Sequence, residues 1–468
     1  MHKLVVIFCT MIALAGCAVG PEFRSPDISL PQQWPEQMLE ISKAEEKRLA
    51  WWAGFEDPVL KNLVNRALDE NLELRLQLER IQEARARLGL ATAERWPTLD
   101  GQAEAIRQKQ PAAASPVPIP GAGGTLSSFS LIGLLSYELD LWGRLERGRE
   151  AATARMEESL FSHEAIRLNL VTDLVNTYVN LRAAEQQLAT TEQTLESRWE
   201  TLRLQQIRYE GGLIDRLTLQ QAESEWAATR AHLPGRRQQV RLLESVLGVL
   251  VGMNPAELSG DLDFGSQSLA VMRPAPDMPE FLPSELLRRR PDIRAAEAAL
   301  AATTAQVGVA MAERLPRINL ALFYGSTAAE FDNLLSGPAE TWGLGASVLG
   351  PLVDFGRNRA RVQTAEALRD QAETRYRITV QTAFREVRDA LILTSTAAER
   401  ETAVRHQVDS LQETLRLAEL RYEEGYSGFI EVLDAQRFLL NAELSLAEAV
   451  RDRLNAASAL FKALGGGW

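Results

Sequence analysis

The sequence predicts a mainly α-helical fold that contains two membrane-type β-hairpins and is built by internal duplication. Three observations carry this expectation. Residues 149–210 and 357–424 contain no Gly and no Pro. Each half of the chain holds a stretch of alternating apolar and polar residues, and several motifs recur in the same order in both halves.

The opening run "MHKLVVIFCTMIALAGC" has a basic start at Lys3, an apolar stretch from Leu4 to Ala15, and then small residues. A resident membrane helix needs about 20 apolar residues, so this shorter run reads as a secretory signal over 1–16. Leu14-Ala15-Gly16-Cys17 resembles the bacterial lipobox, which makes Cys17 the expected first mature residue, with a lipid on its sulfur. Ala18, rather than Asp, follows the cysteine, which in that family of signals points to the outer membrane. Cys9 leaves with the signal, so no disulfide is expected. The formal charge of −12 argues against nucleic acid as a partner. The basic "RRRPD" at 288–292 reads as a solvated helix start.

An acylated arm follows over 17–56, then the helices of the first repeat over 57–97. "RARLGLATAERWP" (85–97) matches "TAQVGVAMAERLP" (304–316), and "DLWGR" (140–144) matches "DFGR" (354–357). The first hairpin is expected over 98–142, with a Pro/Gly-rich loop at 110–124 that makes this copy longer. In it, Phe129, Leu131, Leu135, Tyr137, Leu139 and Leu141 share one face, against Ser128, Ser130, Ser136, Glu138 and Asp140. Ile132 and Leu134 break the pattern. The second hairpin is expected over 317–355: Ile318, Leu320, Leu322 and Tyr324 alternate with polar or small neighbours, as do Trp342, Leu344, Ala346 and Val348. Long strands with one apolar face fit a membrane barrel.

Long helical hairpins complete each repeat, over 143–250 and 356–464, with a linker at 251–284, helices at 285–316 and a short tail at 465–468. Leu181, Leu188, Leu195 and Leu202 recur every seventh residue, as do Val404, Leu411 and Ala418, beside Val408, Leu415 and Tyr422. Such heptads predict coiled-coil-like packing, and a helix from Gly143 to Gly211 would be roughly 100 Å long. Each long helix stops at a glycine after Arg-Tyr-Glu: Gly211 and Gly212 in one copy, Gly425 in the other.

Counting strands implies an oligomer. The strands of one chain cannot close a barrel, which needs about eight, and open edges have no partners in lipid. Two copies or three would satisfy this rule equally.

The stretches "LAGCAVGPEFRSP", "WWAGFEDPVLKNLVNRALDENLELR", "LRRRPDIRAAEAAL", "VGVAMAERLPRINL", "DFGRNRARV" and "RYEEGYSGFIEVLDAQR" together resemble the TolC-like outer-membrane factors, in the lipoprotein branch that serves tripartite RND-type efflux systems. The resemblance implies a homotrimer in the outer membrane, with a twelve-stranded barrel continuous with a periplasmic α-helical barrel. It implies an exit duct for drugs or other toxic small molecules, joined by a periplasmic adaptor to an inner-membrane pump. It also implies a gate at the periplasmic end. Its constriction falls on Ile430 and Asp434, with Leu217 and Gln221 in the first copy. Its holding contacts fall on Arg421, Tyr422, Arg208 and Tyr209. Converging Asp434 carboxylates would repel one another and attract cations, while Ile430 would add an apolar ring. The turns at Gly211, Gly212 and Gly425 are the expected adaptor-docking sites.

Catalysis is not expected. Behind the signal only His163, His232 and His406 occur, each inside a helical pattern, and no H-E-x-x-H, G-x-S-x-G or phosphate-loop spacing is present. No metal or other cofactor is expected beyond the lipid on Cys17. The competing reading is a lipid-anchored periplasmic coiled coil without a pore, which explains Cys17 and the heptads but not two matched amphipathic hairpins.

Overall fold

The computed structural model describes residues 18–29, 51–109, 124–265, 269, 272 and 283–466. The expected signal, Cys17, arm residues 30–50, loop residues 110–123, most of the linker after Gly265 and the last two tail residues lie outside that set.

Seven principal helices and four strands follow one another among the described residues: α1 (Pro58–Glu70), α2 (Leu72–Ala93), β1 (Thr98–Lys109), β2 (Thr125–Leu139), α3 (Arg144–Glu210), α4 (Arg216–Leu250), α5 (Pro291–Ala312), β3 (Arg317–Ala328), β4 (Glu340–Leu349), α6 (Arg357–Glu423) and α7 (Phe429–Ala463). The duplication is metrical. α2 and α5 each have 22 residues, α3 and α6 each 67, and α4 and α7 each 35. α4 keeps its helical course through Pro234, which stands at an exposed position.

The chain divides into two compact units. One unit, formed by residues up to Asp27, Arg80–Ser159 and Ala296–Tyr376, contains the sheet. Its strands form an antiparallel meander in the order β1-β2-β3-β4. Directly opposed residues share a face, so the register aligns the apolar positions across all strands: Leu99 with Leu135, Leu135 with Leu322, Leu322 with Leu344, and Tyr324 with Trp342. The other face carries Asp100, Glu104, Ser130, Ser136, Glu138, Arg317 and Asn319, interrupted by Ile132, Leu134 and Phe323. The Phe323 ring lies over Gly343, where a side chain's Cβ would stand 2.4 Å from it. β1 and β4 are the edges of this sheet and pair on one side only. β2 stops at Leu139, so Leu141 and Trp142 belong to the turn into α3. There the Trp142 indole donates to the Pro316 carbonyl at 2.7 Å.

The other unit, Ile28–Glu79, Leu160–Ala295 and Arg377–Trp468, holds an extended apolar core. Trp51 stacks on Phe461 at 5.2 Å, beside Phe55, Leu60, Leu174, Leu181 and Leu247. Asp57 caps α1 through the Val59 and Leu60 amides at 2.8 and 3.1 Å, and accepts the buried Tyr178 hydroxyl at 2.8 Å. Burial, then that hydrogen bond, pushes the Tyr178 hydroxyl well above the ordinary tyrosine range.

One sequence expectation is corrected here. Within "RRRPD", Arg288 and Arg289 are exposed, but Arg290 is buried. It pairs with Asp292 at 2.6 Å and Glu386 at 2.7 Å, and donates to the Ala463 carbonyl at 3.0 Å. Two carboxylates and a helix-end carbonyl offset its desolvation, so this arginine ties three helices together.

Candidate gate at the hairpin ends

Both long helices stop in the same way. After α3 the Leu213 amide donates to the Arg208 carbonyl (2.8 Å) and the Gly212 amide to that of Tyr209 (2.9 Å). After α6, Tyr426 donates to Arg421 (2.8 Å) and Gly425 to Tyr422 (3.1 Å). This paired closure is the Schellman motif. It requires a left-handed residue, supplied by Gly212 at φ 74° and Gly425 at φ 76°. The repeated Arg-Tyr-Glu is thus the last helical turn, where Arg208 and Arg421 complement the helix dipole. Gly211 has an ordinary φ, and Glu424 occupies its place in the other copy, so two of the three expected turn glycines carry the conformational demand.

The returning helices start differently. At α4 the Asp215 carboxylate accepts the Thr218 amide at 2.9 Å and its hydroxyl at 2.7 Å. Those bonds, the amide first, hold its carboxyl below the ordinary aspartate range. Gly428 stands at the equivalent cap of α7 and offers no side chain.

The expected constriction residues occupy matching helical positions. Leu217 and Gln221 are one turn apart on α4, as Ile430 and Asp434 are on α7. Leu217 and Ile430 are 64% and 45% exposed among the described residues. Beneath them Ala222, Ala418, Phe429, Val432, Leu433 and Ala435 form a small apolar cluster.

The expected holding residues split into two kinds. Tyr422 packs on Phe429 of α7 at 5.3 Å, its hydroxyl donates to the Gln205 side-chain Oε1 at 3.3 Å, and the Arg208 guanidinium lies over its ring at 5.6 Å. The last two contacts join α6 to α3. Arg421 and Tyr209 are exposed, and neither side chain has a partner among the described residues.

Sequence reading missed the charge network behind Asp434. Its carboxylate pairs with Arg437 at 3.1 Å, one turn on. Arg437 also reaches the buried Glu225 of α4 through Nε at 2.8 Å, and Glu225 pairs with the buried Arg198 of α3 at 3.0 Å. The bond to Glu225 raises the Arg437 pKa, whereas burial lowers that of Arg198. The Asp434 charge is therefore not isolated, and its counter-ion is shared with a buried acid on the other repeat. The available signal was "LDAQR" itself, with Asp434 and Arg437 at i and i+3.

No group of three or more His, Cys, Asp or Glu among the described residues could hold a metal ion. No helix there is long and apolar enough to cross a membrane.

A sequence profile of the outer membrane efflux protein family matches residues 63–252 and 282–466. The chain is 35% identical to outer membrane protein OprJ of Pseudomonas aeruginosa, over 98% of this chain and 94% of that one. It is 32% identical to the solvent efflux pump outer membrane protein SrpC of Pseudomonas putida, over 98% and 97%. Its fold superposes on the solved outer-membrane channel OprN with a TM-score of 0.88 at 31% identity, covering 97% of this chain and all of that one. These relatives are channel proteins rather than enzymes, and with matches spanning both repeats the chain belongs to the outer membrane efflux protein family as an exit duct of the outer membrane.

Proposed function

We propose that three copies close a twelve-stranded barrel and form the outer component of a tripartite pump, passing drugs or other toxic small molecules outward. The observation that carries this reading is the four-stranded sheet, with its apolar positions in register on every strand and its β1 and β4 edges bare. Lipid cannot satisfy such edges, and a neighbouring copy can. Arg421 and Tyr209 support the same assembly. They repeat the Arg208–Tyr422 pair, and a neighbouring copy would bring one to the other. The lipid on Cys17 fits as well. Ala18 lies against Gly143, where an added Cβ would stand 2.7 Å from its own, at the junction of β2 and α3.

In this reading a periplasmic adaptor, working with an RND-type inner-membrane pump, engages the turns at Gly212 and Gly425. Ile430 and Leu217 narrow the passage, Asp434 and Gln221 line it, and Tyr422 holds the closed end. No bond is made or broken, and no cofactor takes part.

The test is gel migration of unheated protein, to establish the trimer, followed by single-channel recording of the purified full-length protein. Asp434→Ala should lower the preference for cations and free Arg437 for Glu225 alone. An unchanged cation preference would remove Asp434 from the constriction. A soluble, non-conducting monomer after Cys17→Ser would favour the pore-free coiled coil.

A further inference from the structure

At the foot of the second hairpin stands a group of arginines with fewer acids around it than the first hairpin provides. Arg317 lies on that face, opposite Leu349. Glu313, one turn before it, approaches Arg317 at 3.6 Å through one carboxylate oxygen and Arg361 of α6 at 3.7 Å through the other. Arg357 precedes Arg361 by one helical turn, so both share a face of α6. Arg317 and Arg361 are 43% and 54% exposed, and Arg357 is exposed too. Asp354, the acid beside them, is occupied as a cap: it accepts the Gly356 and Asn358 amides, both at 3.0 Å.

The first hairpin has the same backbone with its charges balanced. Arg144 holds Glu138 through two bonds of 2.9 Å, Arg149 and Arg95 share Glu146, and Arg147 pairs with Glu150. At the equivalent positions of the second repeat, Glu138, Glu146 and Glu150 become Pro351, Arg359 and Gln363. Residues 138–150 contain four acids and three arginines, whereas 351–363 contain one acid and three arginines. Arg317 itself replaces Thr98. The surplus is therefore positive, and its strand member, Arg317, lies on the polar face of the sheet. Like charges on the wall of a water-filled passage concentrate ions of opposite sign.

We propose that Arg317, Arg357 and Arg361, around Glu313, form a transient binding collar for anionic solutes crossing the duct, meaning carboxylates, sulfonates or phosphates. The proposal rests on the exit-duct reading, with the polar face of the sheet lining the passage. It assigns this wall a preference opposite to that of the Asp434 end.

Single-channel recording of the full-length protein, with inorganic pyrophosphate as the probe, tests it. Pyrophosphate should reduce the current reversibly, and less so as potassium chloride rises. The Arg317→Ala/Arg357→Ala/Arg361→Ala variant should raise the half-blocking concentration about tenfold, the loss expected for roughly one charge-assisted contact. The corresponding triple lysine variant should retain the block. Glu313→Gln, a milder change that removes the one central acid, should strengthen it. A conducting triple-alanine channel with unchanged block, or a weaker block in Glu313→Gln, would overturn the collar. If the wild-type protein conducts but pyrophosphate leaves it unaffected, the collar also fails, while absence of any conductance would defeat the duct reading itself.

Discussion

The two hairpin ends share a backbone and differ in almost every side chain that matters. Each closes a 67-residue helix with the same pair of hydrogen bonds over a left-handed glycine. The first end then relies on local chemistry, with Asp215 capping α4 and Tyr209 and Leu217 left exposed. The second end leans on the first: Tyr422 reaches α3, and Arg437 reaches Glu225 of α4. Duplication has kept what the turn requires of the backbone and let the two tips specialise, one as support and one as the part it holds.

The largest expected effect comes from breaking that dependence at its buried point. Glu225 is 8% exposed and serves both Arg198 and Arg437. Glu225→Ala would strand the buried Arg198, and breaking a buried pair by removing one partner typically costs about 3–5 kcal/mol. Thermal unfolding should show the loss, and limited proteolysis should show the tips opening first. If Arg198→Leu made in the same background restores stability, the cost lay in the stranded charge. If it does not, the Arg437 link to the second tip carries the stability.

Why the turns were legible and the network was not follows from range. A helix stop is written in consecutive residues, so Arg-Tyr-Glu followed by Gly212 or Gly425 announces it. Strand faces are equally local, and the alternation at Ile318–Tyr324 appears in the sheet as read. Glu225, by contrast, lies in a polar stretch that resembles a solvated face, and only folding places it within reach of Arg198 and of Arg437, 212 positions away. Arg290 misled the reading for the same reason, since its partners Glu386 and Ala463 come from other helices. The heptad leucines show a milder version. Leu188, Leu195 and Leu202 are only half-buried in the chain, whereas the neighbouring Thr191, Arg198 and Gln205 are buried.

A smaller effect should sharpen what the two turns have in common. A Cβ on Gly212 or Gly425 would meet nothing within 4 Å, so substitution there is penalised by backbone conformation alone. Gly212→Val and Gly425→Val should each cost about 1–2 kcal/mol, the usual price of a left-handed β-branched residue. Equal losses at the two sites in thermal unfolding are expected. Efflux assayed in cells should separate them, with Gly425→Val abolishing transport while trimer and surface insertion persist. Equal transport by the two variants would mean that the tips do not differ in docking.

The smallest effect concerns the cap that only the first tip possesses. Asp215→Ala should destabilise the start of α4, while Gly428→Asp should gain only a little, because glycine is already a tolerable cap. The pH dependence fixes the sign. The Asp215 carboxyl titrates below its ordinary range because the folded state binds the carboxylate through Thr218. A depressed pKa means that the cap's contribution is complete above the ordinary aspartate range and is lost as pH falls through the lowered value. The protection factor of the Thr218 amide, its exchange rate set against the intrinsic rate at the same pH, should therefore fall on acidification in the wild type but change little in Asp215→Asn, which keeps the oxygen acceptor without the titration. An equal fall in both would place the acid sensitivity elsewhere in the hairpin. A Gly428→Asp variant that acquires the same acid-dependent protection at Glu431 would show that the difference between the two starts lies in one side chain.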